Sequence, residues 1–427
     1  MVETLERIIP KEGYDLHLIH TKKFKTIHLS LKFTSKLTRE NITKRALLPY
    51  ILQQGTANYP TAIQLRQHLD ELYGTVLAVD SSKKGENHIL TIRLELANEQ
   101  YIAGSQDLLN QGIAFLREVI YQPKLVDQAF DPKIVAREKE TLRSKMESLT
   151  EDKVSFANTR MIEEMCKEEE YRLRVHGYEE DLDKITAEDL YAYYQQILSQ
   201  DHLDIFAVGD IEGLEVEEKI TALVEAREQQ PIEKGKLVAG FNEQTLIEED
   251  DIKQAKLHFG YRTNITFDDE DYAALHVFNG LFGGFPSSKL FMNVREKHSL
   301  AYYAASRIES HKGLMFVFSG IAPEQFENAK DIILEQMEQM RKGEFTDNEL
   351  NETKEMTINQ LRETLDNAQG MIELHYQSVL AQSSISPEQL LQKVNKVTKD
   401  QVINVANKVK LDTIYLLTSK EAEQSEA

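Results

Sequence analysis

A single cysteine, Cys166, in 427 residues leaves no partner for an intrachain disulfide. Stability has to come from packing, and the scarcity of thiols points to a reducing, cytoplasmic compartment. The N-terminal stretch "MVETLERIIPKEGYD" has neither the basic nor the apolar segment of a secretory signal. No uninterrupted apolar run approaches the roughly 18 residues of a membrane-spanning helix. Positive charge is also in short supply: 50 Lys and Arg stand against 71 Asp and Glu, a formal net charge of -21. So acidic a chain argues against nucleic acid and anionic membranes as partners and suits cationic ones. Missing too are a P-loop, a G-x-S-x-G elbow, a Cys-rich metal set, and the H-E-x-x-H and H-x-x-E-H zinc helices. The closest histidine pair, His17 and His20 in "HLIH", points to opposite faces if that segment is a strand. Cys166 lies among carboxylates in "EEMCKEEE", which would raise its thiol pKa.

What is present is the composition of an ordinary globular chain, 41% hydrophobic and 28% charged, long enough for two or three domains. Disorder is expected only in the tail at 421–427. Ile27, Leu29, Leu31 and Phe33 alternate with polar residues, as in a strand with one buried face. Apolar residues at 62, 65, 69 and 72 then keep helical spacing, with Gly74 just past the end as a stop. The order of these elements predicts an α+β fold with mainly antiparallel sheets. Two passages echo each other across the chain: "KITAEDLYAYYQQILSQDHLDIFAVGD" with "KVTKDQVINVANKVKLDTIYLLTSK", and "LYGTVLAVDSSKKGENHILTIRL" with "LAYYAASRIESHKGLMFVFSG". A repeat this long means duplicated domains rather than a solenoid. The boundaries fall at 1–228 and 241–420, with the polar segment 229–240 as linker.

The stretch "LFGGFPSSKLFMNVREKHSLAYYAASRIES" carries the densest information. Gly283 and Gly284 suggest a backbone conformation that other residues resist, Pro286 stiffens the turn, and Ser287 or Ser288 suits an N-cap for "KLFMNVREK". Leu290 and Val294 would share the buried face of that helix. Arg295 would project near its end, and Tyr302 would open the next strand. A guanidinium and a phenol brought to one cleft can hydrogen-bond a peptide carbonyl or a developing oxyanion. Taken alone, such an arginine is more often a solvated helix charge and such a tyrosine a packing residue.

The run "GLFGGFPSSKLFMNVREKHSLAY" resembles the C-terminal domain signature of the pitrilysin, insulinase and mitochondrial processing peptidase family of inverted zincins. The likeness extends over nearly the whole chain, through the "GTANYPT" loop, the paired helices and the repeat. It implies two homologous domains facing each other as half of a clamshell, with Gly283 and Gly284 in the loop that meets substrate. Family members hold zinc with an H-x-x-E-H helix and a glutamate on a later helix. Aligned on Gly55 and Thr56, the histidine positions read Ala46 and Tyr50, the general-base position reads Pro49, and in "EKETLRSKM" the last ligand position reads Lys145.

Zinc catalysis needs imidazole or carboxylate donors, an open position for water and a base to take its proton. Ala46 has no donor atom, Pro49 cannot accept a proton, and Tyr50 carries a phenol protonated near neutral pH. Lys145 would bring positive charge to a cation. Pro49 also costs a helical hydrogen bond, roughly 3 kcal/mol in a regular interior, so the helix is expected to kink or start later. The resemblance therefore implies a non-catalytic bacterial subunit that binds no cofactor itself. Its partner would be a homologous H-x-x-E-H chain holding the zinc, with a peptide or unfolded polypeptide as substrate and Arg295 and Tyr302 supporting the partner's active site. The alternative is a peptide-binding or assembly protein without proteolytic activity. Some chains of this appearance are associated with elongation factor P modification.

Overall fold

The computed structural model describes residues 6–104 and 107–420, so the expectation for 421–427 lies outside the described residues. Its first half contains strands β1 (Glu6–Lys11), β2 (Tyr14–His20), β3 (Thr26–Lys36), β4 (Val76–Lys84) and β5 (Asn87–Ala97), the short hairpin β6 (Leu125–Val126) and β7 (Ala129–Phe130), and β8 (His202–Gly209). Between them run helices α1 (Ile42–Leu52), α2 (Ala62–Glu71), α3 (Leu108–Tyr121), α4 (Pro132–Glu151), α5 (Lys153–Met165), α6 (Glu179–Leu182) and α7 (Ala187–Gln200); α8 (Val216–Leu223) follows β8. The second half holds β9 (Gln244–Asp250), β10 (Ala255–Arg262), β11 (Ala301–Glu309), β12 (Leu314–Ile321) and β13 (Lys410–Ser419). Its helices are α9 (Tyr272–Asn279), α10 (Phe326–Lys342), α11 (Asp347–Leu365), α12 (Ala368–Leu380), α13 (Pro387–Lys396) and α14 (Lys399–Lys408).

The sheet orders make the duplication visible. The first sheet runs β1-β2-β8-β3-β5-β4 and the second, from its opposite end, β9-β13-β10-β12-β11. With β1 set aside, the two orders correspond strand for strand. Pairing is antiparallel except where the first strand of each repeat lies parallel to its last, β2 on β8 and β9 on β13. Local chemistry fixes the helix starts: Thr61 and Thr186 accept from the backbone N–H three residues on, and Ser386 and Thr398 form reciprocal capping boxes with Gln389 and Gln401.

Two compact units result, and neither is continuous in sequence. One contains residues up to Ser148, Leu173–Glu233 and Asp366–Glu373; the other contains Leu149–Arg172, Lys234–Leu365 and the chain from Leu374. In the first unit the odd-numbered residues Ile27, Leu29, Leu31 and Phe33 join Ile205, Ile92 and Leu94 in a core shared with α1, α3 and α7. In the second, Leu257, Phe259, Val317 and Leu416 pack with α9, α10 and α14. The second sheet is also covered on its other face, where Ala157, Met161 and Met165 of α5 meet Leu314, Phe316, Tyr415 and Leu417.

Candidate functional site

Helix α1 is continuous and buried despite Pro49, which stands inside it. The expectation that proline would delay its start is corrected: the helix begins at Ile42, seven residues before the proline. Its anchor is Arg45, a fully buried guanidinium. It donates to Asp201 Oδ2 at 2.6 Å, to His88 Nδ1 at 2.9 Å and to the Phe33 carbonyl at 2.9 Å. Burial opposes that charge, yet Asp201 and Tyr193 hold the guanidinium above the ordinary arginine range. Together with the burial of Leu47, Leu48, Ile51 and Leu52, this network offsets the lost hydrogen bond.

The four degenerate positions do not fit zinc. Ala46 is buried in the core and Pro49 is buried beside it. The Tyr50 phenol is pushed up by burial and then by the charge of Glu138, so it stays protonated and is a poor metal ligand. Lys145 is exposed on α4, where its charge, after burial itself, holds His176 below the ordinary histidine range. Glu138 is the residue that sequence reasoning passed over. It is a buried carboxylate that opens the quoted "EKETLRSKM" and accepts from Arg137 Nε at 2.7 Å. A carboxylate on the buried side of α4, about two turns before Lys145, was the available signal. One carboxylate beside a protonated phenol does not make a zinc shell.

The second constellation is built differently. Helix α9 runs on through a wide π-helical turn at Gly280–Gly284. The backbone at Gly283 and Gly284 is not left-handed, which corrects the conformational reason given for them. Close approach is what demands glycine: a Cβ on Gly283 would lie 2.5 Å from Ser306 Oγ and 2.8 Å from its backbone N, and one on Gly284 would lie 2.9 Å from Asn279 Nδ2. The pair lets β11 press against the helix end, where Ser306 donates to Asn279 Oδ1 at 2.8 Å.

Ser288 caps the next helix, with the Phe291 N–H donating to its Oγ at 3.4 Å. Leu290 and Val294 are buried as their spacing requires. The helix then widens over Phe291–Lys297 and closes as the Leu300 N–H donates to the Val294 carbonyl at 3.0 Å, with Ser299 left-handed. This closure delivers Tyr302 to the start of β11, an edge strand, with 69% of its surface exposed. The packing account of Tyr302 is excluded by that exposure. Arg295 is also exposed, its guanidinium 4.6 Å from the centre of the Phe291 ring and 3.6 Å from Glu296. Arg295 thus stands exposed near the end of the helical segment Phe291–Lys297, and Tyr302 stands exposed at the start of the strand that follows it. His17 and His20 lie on opposite faces of β2, as alternation requires.

The comparisons with known proteins agree with this geometry. A family model described as "Peptidase M16 inactive domain" matches residues 184–357. The chain is 45% identical over 411 residues to the "Probable inactive metalloprotease YmfF" of Bacillus subtilis (strain 168), covering 96% of each chain. A solved conserved protein from Enterococcus faecalis V583 superposes with a TM-score of 0.88 at 35% identity, covering 97% of this chain and 99% of that one. A peptidase M16 inactive domain from Pseudomonas fluorescens shares the fold, with a TM-score of 0.81 at 16% identity over 97% and 98% of the two chains. Among the described residues no helix is long and apolar enough to cross a membrane.

Proposed function

Because the chain belongs to the M16 peptidase family, among its inactive-type members, we propose that it is the non-catalytic subunit of a heterodimeric zinc peptidase, completing a peptide-holding chamber around a zinc-bearing partner. One observation carries this reading. The helix that should hold the metal keeps its packing and has lost every donor, while Arg295 and Tyr302 stand exposed with no role in either core. A buried guanidinium network maintains α1 as scaffold. An exposed phenol at a sheet edge and a nearby guanidinium instead offer hydrogen-bond donors to something outside the chain. On this reading they grip the carbonyl of a peptide held extended along the chamber wall, and strengthen that grip as the carbonyl oxygen gains charge at the partner's zinc. The partner supplies metal, water and base.

Co-expression with a homologous chain that has an intact H-x-x-E-H helix tests the proposal. The two should co-purify, and peptidase activity should require both. Chelator-sensitive hydrolysis by this chain alone would overturn the non-catalytic assignment. Separate monomers with no effect on the partner's activity would overturn the heterodimer in favour of a peptide-binding or assembly protein.

A further inference from the structure

The polar face of the first sheet carries a second constellation, unrelated to the peptidase positions. Asp15 on β2 lies directly opposite Asp204 on β8 in parallel register. His202 lies two residues before Asp204 on the same face. Ligating atoms of Asp15, His202 and Asp204 all fall within 4.8 Å of one another. Asp204 is fully buried, and only its Oδ1 is hydrogen-bonded, to His17 Nε2 at 3.2 Å; Oδ2 has no hydrogen-bond partner. That free oxygen faces His202 Nε2 at 3.4 Å, longer than the roughly 2.7–2.9 Å of a charge-assisted hydrogen bond. The other ring nitrogen of His202, Nδ1, lies 3.2 Å from the Gln230 carbonyl. With Nδ1 held at that carbonyl, Nε2 is the nitrogen that, on giving up its proton, a cation beside Asp204 would take, the arrangement by which ligating histidines are oriented.

We infer that Asp15, His202 and Asp204 form a binding site for a divalent transition-metal cation of the zinc type, with water as fourth ligand. The spacing supports the ion. Two atoms bound at about 2.1 Å in a tetrahedron stand about 3.4 Å apart, the separation of His202 Nε2 and Asp204 Oδ2. Charge supports it as well. Asp15 and Asp204 bring two carboxylates to the site, and His17 braces Asp204 from behind, its Nε2 3.2 Å from Asp204 Oδ1 and its Nδ1 2.7 Å from Glu6 Oε1. An imidazole ligand favours zinc over magnesium or calcium, which take oxygen. The inference departs from the expectation of a metal-free chain, which rested on the helix at 45–56 and on histidine spacing within single segments.

The full chain, stripped with chelator and dialysed against micromolar zinc, should retain one zinc per chain. Cobalt(II) in its place should give the visible absorption of a four-coordinate site. His202→Gln and Asp15→Asn, at partly exposed positions, should each weaken uptake at least about tenfold while leaving metal-free melting unchanged. Tyr50→Phe and Glu138→Gln should leave uptake alone. Failure of the wild-type chain to bind zinc overturns the site, as does uptake indifferent to both His202→Gln and Asp15→Asn. Uptake abolished by Tyr50→Phe or Glu138→Gln instead would place the metal on the peptidase helix and equally overturn it.

Discussion

The two sheets share a strand order and part company on one face. Each lays an apolar face on its own helices. On the other, the second sheet presents Leu314, Phe316, Tyr415 and Leu417 to the methionines of α5, with His258 fully buried among them. The first sheet presents Asp15, His17, Lys32, Thr34, Arg93 and Asp204 instead; buried Lys32 pairs with Glu373, which also meets Lys84 at 3.2 Å. One duplicated architecture has therefore been given two interiors. Duplication fixes which strands are neighbours, and the residues facing away from the core remain free to become a second hydrophobic layer or a charged one.

The largest effect should come from the exposed loop of the second unit. In the reconstituted complex, Arg295→Ala and Tyr302→Phe should each lower kcat on the order of a hundredfold with association and melting almost unchanged. Tyr73→Phe, at an exposed tyrosine just before the edge strand of the first unit, should leave turnover intact. Full activity in both second-unit variants would show that the two edges are alike and that the chain only shapes the chamber.

Glycine substitution should separate the units next. Gly283→Ala forces a methyl against the Ser306 backbone and should cost about 1–3 kcal/mol in chemical denaturation. Gly112→Ala in α3 meets only the ends of the Leu96 and Leu94 side chains, at 3.2 and 3.4 Å, and should stay within about 1 kcal/mol because alanine is the better helix former. Equal losses would mean that the approach of β11 to the helix end is not what requires glycine.

A smaller contrast lies in pH. Burial opposes the charge on His17, but Asp204 and Glu6 raise its pKa to about 9. Its contribution is therefore complete below the unfolded value of about 6.5 and is lost as pH rises through about 9. Burial lowers His258 to about 3 and His276 to about 4. Their contribution is complete above about 6.5 and declines as pH falls toward those values. Hydrogen-exchange protection should thus fall in the first unit before the second under alkali, whereas acid should loosen both, because burial also holds His88 of the first unit well below the ordinary range. The opposite order would break the comparison.

Much of this was legible in the sequence, for identifiable reasons. Period-two alternation at Ile27–Phe33 reports burial on one face directly, and the internal echo reports duplication. Leu290, Val294 and Ser288 took the places that helical spacing gave them. Glu138 escaped because a carboxylate in a charged helix reads as solvated until the buried side is known. Asp15 and His202 escaped because their proximity is created by a parallel pairing between strands 187 residues apart, which no local spacing reports. The segments 149–172 and 366–373 carry ordinary helical patterns, and nothing in such a pattern says which sheet a helix will cover.

That placement of α5 has a consequence for synthesis. On the ribosome the helix emerges before β12 and long before β13, the strands that bury Ala157, Met161 and Met165. About 245 residues separate the end of α5 from β13, which at roughly 5–20 residues per second is about 12–50 seconds of translation. Throughout that interval an apolar helix is tethered to a neighbouring, already emerged segment with its own sheet still incomplete. The nascent chain offers a binding site for chaperones that the finished protein hides, and the second unit's assembly, rather than the first's, sets when that site closes.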